Sequence, residues 1–274
     1  MKIGFLGSGN MARFLGLRLG RAKIPGLKLF FYSPSGTKAR QLAIESEGVF
    51  VHALQDFPED LDYLFLAMKP QMLNEVTLPK ISQSTVLVSM LAAISLNSLE
   101  KKFKTTRLIR IMPNTPSEIG LGVIPIIAHN SLINEHSYFY FKSLGTHFGN
   151  FIELENDKEL ELLTPYTGCL PGILYSYFDD LSNDLKKRNL PSLEGKNTER
   201  LMMDVIRGSV ELFYKNTLSL DELKSQVTSK GGLTEKAILT MKENGIENAI
   251  HLSMNAAIKK SKEISDNLNS NIHR

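Results

Sequence analysis

The chain begins Lys2-Ile3-Gly4-Phe5-Leu6-Gly7-Ser8-Gly9-Asn10-Met11-Ala12, and few folds accommodate such a start. A short apolar strand runs without a linker into two glycines one residue apart, and these lead into a helical stretch from Met11 to Leu19. Gly7 allows the sharp turn at the strand end, Gly9 leaves out the Cβ that would block a pyrophosphate, and Ala12 lets helix and strand pack closely. The unpaired N–H groups at the helix start, together with the positive end of its dipole, suit an anion. Strand, glycine turn and helix in this order predict a dinucleotide site. The plain alternative is a glycine turn that serves packing alone.

The next strand, Leu27-Lys28-Leu29-Phe30-Phe31-Tyr32, bears on which dinucleotide to expect. An NAD site usually ends this strand in an acid that holds the ribose 2′-OH. Here Ser33-Pro34-Ser35-Gly36-Thr37-Lys38 follows, with Arg40 beyond and no carboxylate. Hydroxyls and two cations suit a 2′-phosphate, which favours NADPH and leaves NADH possible. Lys38 and Arg40 could equally form a solvated helix face.

Strands alternate with helical segments through the first half, the pattern of a parallel sheet covered by helices. A helix over Lys38 to Ser46 ends at Gly48, followed by the short strand Val49 to Val51. Asp62 to Ala67, Thr85 to Met90 and Arg107 to Met112 read as buried strands, Gln71 to Val76 as a helix, and Gly122 to Ala128 as a strand at the sheet edge. The reading is a doubly wound α/β domain over residues 1–152. Ligands of such sheets lie beyond the carboxyl ends of the strands. The candidate cofactor contacts are therefore Gly7, Ser8, Gly9, Asn10, Met11, Ala12, Ser33, Pro34, Ser35, Lys38, Ala67, Met68, Lys69, Pro70, Ala92 and Asn114. Lys69 reads as a phosphate contact or a shaper of the nicotinamide pocket, against a solvated surface lysine.

Residues 153–274 change character. Helical patterns cover Asp157 to Leu163, Ile173 to Lys187, Thr198 to Tyr214, Leu220 to Lys224, Thr234 to Lys242 and Ile246 to Ile264, and a tail from Asp266 to Arg274 reads as disordered. In the last helix Ile246, Ala249, Ile250, Met254, Ala257 and Ile258 form an apolar stripe, which predicts a homodimer or larger homo-oligomer rather than a self-contained bundle. With 274 residues and 42% hydrophobic content the chain can bury two cores. A net charge of +3 with dispersed basic residues implies neither nucleic acid nor a membrane surface. No membrane-length stretch and no signal peptide stand out, so the expected compartment is the cytoplasm. Six scattered histidines and one cysteine predict no metal site, and Cys169 reads as a small buried filler.

Within the helical half, Val227-Thr228-Ser229-Lys230-Gly231-Gly232-Leu233-Thr234 places two glycines between helices. Its backbone N–H groups and the hydroxyls of Ser229 and Thr234 could form a concave anion site suited to a carboxylate. A Schellman ending followed by a threonine cap explains the same residues equally well.

Four segments taken together carry a resemblance. Gly7 to Ala12, Ala67-Met68-Lys69-Pro70-Gln71, Met112-Pro113-Asn114-Thr115-Pro116 and Thr228 to Ile238 match, in order and spacing, the pyrroline-5-carboxylate reductase family along nearly the whole chain. The resemblance implies NAD(P)H-dependent reduction of a cyclic imine to L-proline by a Rossmann domain and an all-helical C-terminal dimerisation domain. It implies that Gly231, Gly232 and Leu233 offer amides to the substrate carboxylate, and that Thr234, the one catalytic candidate, places its hydroxyl near the ring nitrogen. The chain departs from the family pattern twice. Lys230 stands where a proline is usual, and Tyr166-Thr167-Gly168-Cys169-Leu170-Pro171-Gly172-Ile173 replaces a turn of small residues, with Leu170 bulkier than expected. Two other readings are a reductase of another imine or hydroxyacid, for which Lys186 and Lys187 sit late in the long helix, and a silent NADP-binding regulator.

Overall fold

The computed structural model describes residues 1–267 with their side chains and the backbone of the last helix as far as Ile272. Contacts divide the chain into two compact units, Met1–Cys169 with Ala257–Arg274, and Leu170–Ala256.

The first unit is built on an eight-stranded sheet of order β3-β2-β1-β4-β5-β6-β7-β8. Its strands are β1 (Lys2–Leu6), β2 (Lys28–Tyr32), β3 (Val49–Phe50), β4 (Tyr63–Leu66), β5 (Val86–Ser89), β6 (Leu108–Ile111), β7 (Gly122–Ala128) and β8 (Gly149–Glu153). Those from β3 to β6 are parallel, β7 runs antiparallel to β6, and β8 is parallel to β7. Strands β4, β5 and β6 are buried at every residue, as expected when helices cover both faces. One face packs Ile3, Phe5, Phe31, Phe65 and Val88 under α1 (Asn10–Arg21), α2 (Thr37–Glu45) and α4 (His136–Gly145). Phe31, Phe5 and Phe65 stack in a row there, with centroids 5.1 and 4.6 Å apart. The other face packs Leu6, Leu64, Leu66, Leu87 and Leu108 with Leu99 of α3 (Leu96–Phe103).

Several expectations change. The segment Gly122–Ala128 is not an edge strand, because β8 pairs along it; Gly149, at φ +141°, approaches Gly122 so closely that a Cβ would lie 2.0 Å from the Gly122 carbonyl. The helix expected over Gln71 to Val76 is a single turn, Pro70–Met72, since β-branched Val76 and Thr77 and then Pro79 disfavour its continuation. Helix α5 (Asp157–Thr164) belongs to the sheet unit, and a π-type turn, Pro165–Cys169, joins it to α6 (Leu170–Lys187). The expected disordered tail begins inside the last helix, and residues 273–274 lie outside the described residues.

The second unit holds α6, α7 (Thr198–Lys215), α8 (Leu220–Gln226), α9 (Leu233–Glu243) and the first part of α10 (Ile246–Ile272). Helices α7 and α8 start at side-chain caps, Asn197 accepting from the Arg200 amide at 2.8 Å and Ser219 forming a capping box with Glu222. Among the described residues of this unit only Ser182, Thr198 and Met254 are buried, and the first two bond each other at 2.6 Å. Cys169, at the end of the π-type turn, is exposed rather than a buried filler. No helix of the described residues is long and apolar enough to cross a membrane, and no group of three or more metal-ligating side chains occurs among them.

Candidate active site

The residues expected to contact a cofactor follow the carboxyl ends of β2, β1, β4, β5 and β6, which neighbour one another in that order, or lie in the first turns of the helices after them. Gly7 adopts φ +108°, and a Cβ there would sit 2.5 Å from the Ala67 carbonyl carbon and the Met68 nitrogen. Only glycine lets the turn come this close to the end of β4. The Gly7 amide donates to the Tyr32 carbonyl at 2.9 Å, tying the turn to β2. Gly9 serves a different purpose. It is the N-cap of α1, and the nearest atom to a Cβ built on it is the Ala67 carbonyl oxygen, 3.9 Å away. The space that a side chain would fill is open, and no side chain caps the helix or places an acid in its first turn. The amides of Asn10, Met11 and Ala12 are therefore presented to an anion, while Ala12 is fully buried against the sheet.

Beyond β2, Ser33, Pro34 and Ser35 form a tight turn closed by the Gly36 amide on the Ser33 carbonyl at 2.9 Å. The Ser33 Oγ is buried and has no hydrogen-bond partner. Lys38 is exposed with no carboxylate partner among the described residues. Arg40 lies over the Phe50 ring at 5.0 Å, which holds its guanidinium against β3. A phosphate fits this set: an orphan hydroxyl, a free cation and no nearby acid in the turn.

Ala67, Met68 and Lys69 carry β4 into the Pro70 turn, with Lys69 exposed. Past β5 the Leu91 amide bonds the Ser89 Oγ at 3.2 Å, Ala92 is exposed and Ala93 takes a left-handed φ of +64°. A buried alanine in that region is strained, and strain of this kind gathers at ligand sites. Asn114 lies on the rim after β6, but its side chain is already engaged. Its Nδ2 donates to the Thr167 carbonyl at 3.0 Å and its Oδ1 accepts from the Val123 amide at 3.2 Å. It clips the π-type turn to the end of β6, leaving its backbone rather than its amide for a ligand.

A second clip went unforeseen in the sequence. Arg110 of β6 is fully buried, its Nη1 paired with Asp157 while Nε and Nη2 have no partner. Asp157 also accepts the Leu96 amide at 3.1 Å, so one carboxylate joins the start of α3, the end of β6 and the start of α5. Burial pushes the nearby Glu161 carboxyl above its ordinary range; Arg110 opposes the rise and Asp157 adds to it. The signal lay in an arginine within the otherwise apolar run Leu108 to Met112.

The glycine turn expected to receive an anion lies in the second unit. Gly231 has φ +73°, and Gly232 is the N-cap of α9, again without a side-chain cap. The Gly232 amide does not face a ligand: it donates to the Ser229 carbonyl at 2.9 Å. Nor is the Gly231 amide free, since the Glu235 carboxylate takes it at 2.6 Å. The Leu233 and Thr234 amides, at the first two helical positions, have no partner among the described residues. Leu233 is 93% exposed and Thr234 half-buried. Ser229 and Lys230 are exposed, and Lys186, weighed above as an acid, is bound to Glu199 at 2.8 Å. A cavity of about 1020 Å³ lies between Thr85, Leu87, Phe103 and Arg107 and includes none of these residues.

Residues 157–264 match the family model for pyrroline-5-carboxylate reductase dimerisation. Residues 2–93 match the model described as NADP oxidoreductase, coenzyme F420-dependent. The pyrroline-5-carboxylate reductase of Staphylococcus haemolyticus is 28% identical over 274 residues, covering 97% of this chain and 99% of its own. That of Staphylococcus aureus is 27% identical, covering 97% and 98%. Among solved structures, pyrroline carboxylate reductase of Plasmodium falciparum with NADP bound shares the fold at a TM-score of 0.80, with 24% identity over 97% of this chain and 98% of its own. The 1-pyrroline-5-carboxylate reductase of Streptococcus pyogenes does so at 0.83, with 22% identity over 96% and 98%.

Proposed function

We propose that the chain is a pyrroline-5-carboxylate reductase, which reduces 1-pyrroline-5-carboxylate to L-proline with NADPH, the last step of proline synthesis; its similarity along nearly its whole length to such reductases supports this. The observation that carries this reading is the uncapped start of α1 behind Gly9, open where a side chain would stand, in a chain aligned end to end with such reductases.

The amides of Asn10, Met11 and Ala12 hold the pyrophosphate, and Ser33, Ser35 and Lys38 hold the 2′-phosphate. When bound, the dinucleotide supplies the hydride. The Leu233 and Thr234 amides grip the substrate carboxylate, each charge-assisted bond contributing roughly 1.5–3 kcal/mol. The ring is thereby oriented without a dedicated arginine, and such positioning lowers the barrier to hydride transfer. A protonated imine is already electrophilic, so Thr234 needs only to orient or relay a proton near the ring nitrogen. The acting species is a homodimer built through residues 157–264, since the second unit leaves large apolar side chains such as Val205, Leu212, Phe213 and Tyr214 exposed.

Loss of NADPH absorbance on adding pyrroline-5-carboxylate, compared with NADH and with no imine, tests the reading. Turnover with NADPH preferred is expected. Binding of NADPH without turnover would instead favour a silent regulator, and a fully active monomer would refute the assembly.

A further inference from the structure

Glu235 occupies the third position of α9 counted from its N-cap, Gly232. A glutamate there ordinarily reaches back to the N-cap amide. In this chain that amide is held by the Ser229 carbonyl, and the carboxylate passes it to bond Gly231 at 2.6 Å. The turn that offers amides to an anion thus already carries a carboxylate of its own, held in the short range of a charge-assisted bond. A second carboxylate placed on the adjacent Leu233 and Thr234 amides would meet like charge within a few ångströms, so both cannot stay.

We propose that Glu235 is a built-in competitor of the substrate: it holds the Gly231 amide in the free protein and must swing away when a carboxylate ligand arrives. The inference rests on the reading that the substrate carboxylate binds at this turn. Displacement adds the Gly231 amide to those of Leu233 and Thr234. The released carboxylate has receivers close by in sequence, since Lys230 and Lys236 are exposed and without a carboxylate partner among the described residues. Glu235 thereby sets how tightly carboxylates bind, and discriminates against anions too weak to dislodge it.

The test combines kinetics with the Gly231 amide signal in glycine-labelled protein. Glu235→Ala should lower the KM for pyrroline-5-carboxylate by about tenfold, the change falling in KM rather than kcat, and Glu235→Gln, which keeps an acceptor but no charge, by about threefold. In the wild type the Gly231 signal should move on titration with L-proline, and the same shift should saturate at lower L-proline in Glu235→Ala. An unchanged or raised KM in Glu235→Gln, with circular dichroism unaltered, overturns the proposal and leaves Glu235 as a helix cap. Should the wild type show no turnover while L-proline still moves the Gly231 signal more readily in the variants, the reaction assignment fails and the competitor stands. Turnover with a Gly231 signal indifferent to L-proline removes the competitor and keeps the reaction.

Discussion

Replacing Asp157 with alanine should damage the sheet unit far more than its place on the surface of α5 suggests. The substitution strands the Arg110 guanidinium, which is 0% exposed and already lacks partners on Nε and Nη2. Breaking a buried pair from one side typically costs about 3–5 kcal/mol. Asp157 keeps 27% of its side-chain exposure, which puts the loss toward the lower end. Uncapping the Leu96 amide adds roughly 1 kcal/mol, and Glu161, one turn along α5, recovers part of it by moving toward Arg110. A net loss of about 3 kcal/mol corresponds to a fall in Tm of roughly 6–12 °C for a unit of this size. Scanning calorimetry on Asp157→Ala and on Arg110→Met/Asp157→Leu decides the matter. The double variant removes both charges and should stay within about 1–2 kcal/mol of the wild type. If Asp157→Ala melts within about 2 °C of the wild type, or the double variant is no better than the single one, the argument from an uncompensated buried charge is wrong.

Gly7→Ala forces a Cβ to within 2.5 Å of the β4 backbone at φ +108°, and should cost about 3 kcal/mol or more and abolish NADPH binding, read by calorimetry and cofactor fluorescence. Ser35→Asp puts a carboxylate in the turn beyond β2 and should weaken NADPH by about tenfold or more while sparing NADH; equal loss for both cofactors would remove the 2′-phosphate assignment. Glu161 has a raised carboxyl in the folded state, so its contribution is full below about pH 4.3 and is lost as pH rises through the folded value. Glu161→Gln should therefore raise Tm at pH 7 and give no advantage near pH 4, a pattern that melting across that range checks.

The parts of the molecule legible in the sequence were those whose chemistry is local. A glycine pair between strand and helix, continuous apolar runs such as Leu64 to Leu66, and the three- and four-residue spacing of α10 each carry their own pattern. The parts that escaped depend on partners far along the chain. Strand β8 (Gly149-Asn150-Phe151-Ile152-Glu153) has no buried apolar run of its own, and it joins the sheet by pairing with β7, where Gly149 meets Gly122 in a contact that no spacing announces. Helix α4 is rich in aromatic residues of modest helix propensity and forms because Tyr138, Phe141 and Leu144 close the core over Phe65. Asn114 sits where a cofactor contact was expected, yet its amide serves Thr167, 53 residues away. The glycine pair at 231 and 232 falls, as its composition implies, in a turn directly ahead of α9. Which amides remain free there was decided by Ser229 and Glu235, and only the folded turn reveals that division.

The scarcity of buried side chains between Leu170 and Ala256 makes abundance a variable of this protein's function. Three buried residues, two of them polar, cannot repay the ordering of five helices, so their folding free energy must come largely from association. Association is second order in chain number. The sheet, with its own filled core, can condense on a single chain as it leaves the ribosome, whereas the helical half waits for an encounter and exposes apolar surface until it occurs. Sparse expression would then lengthen that wait and hand the chain to chaperones and proteases, and a surplus of copies defective only in the sheet would divert sound ones into mixed assemblies. How much working enzyme a cell holds would rise more steeply than the number of chains it makes.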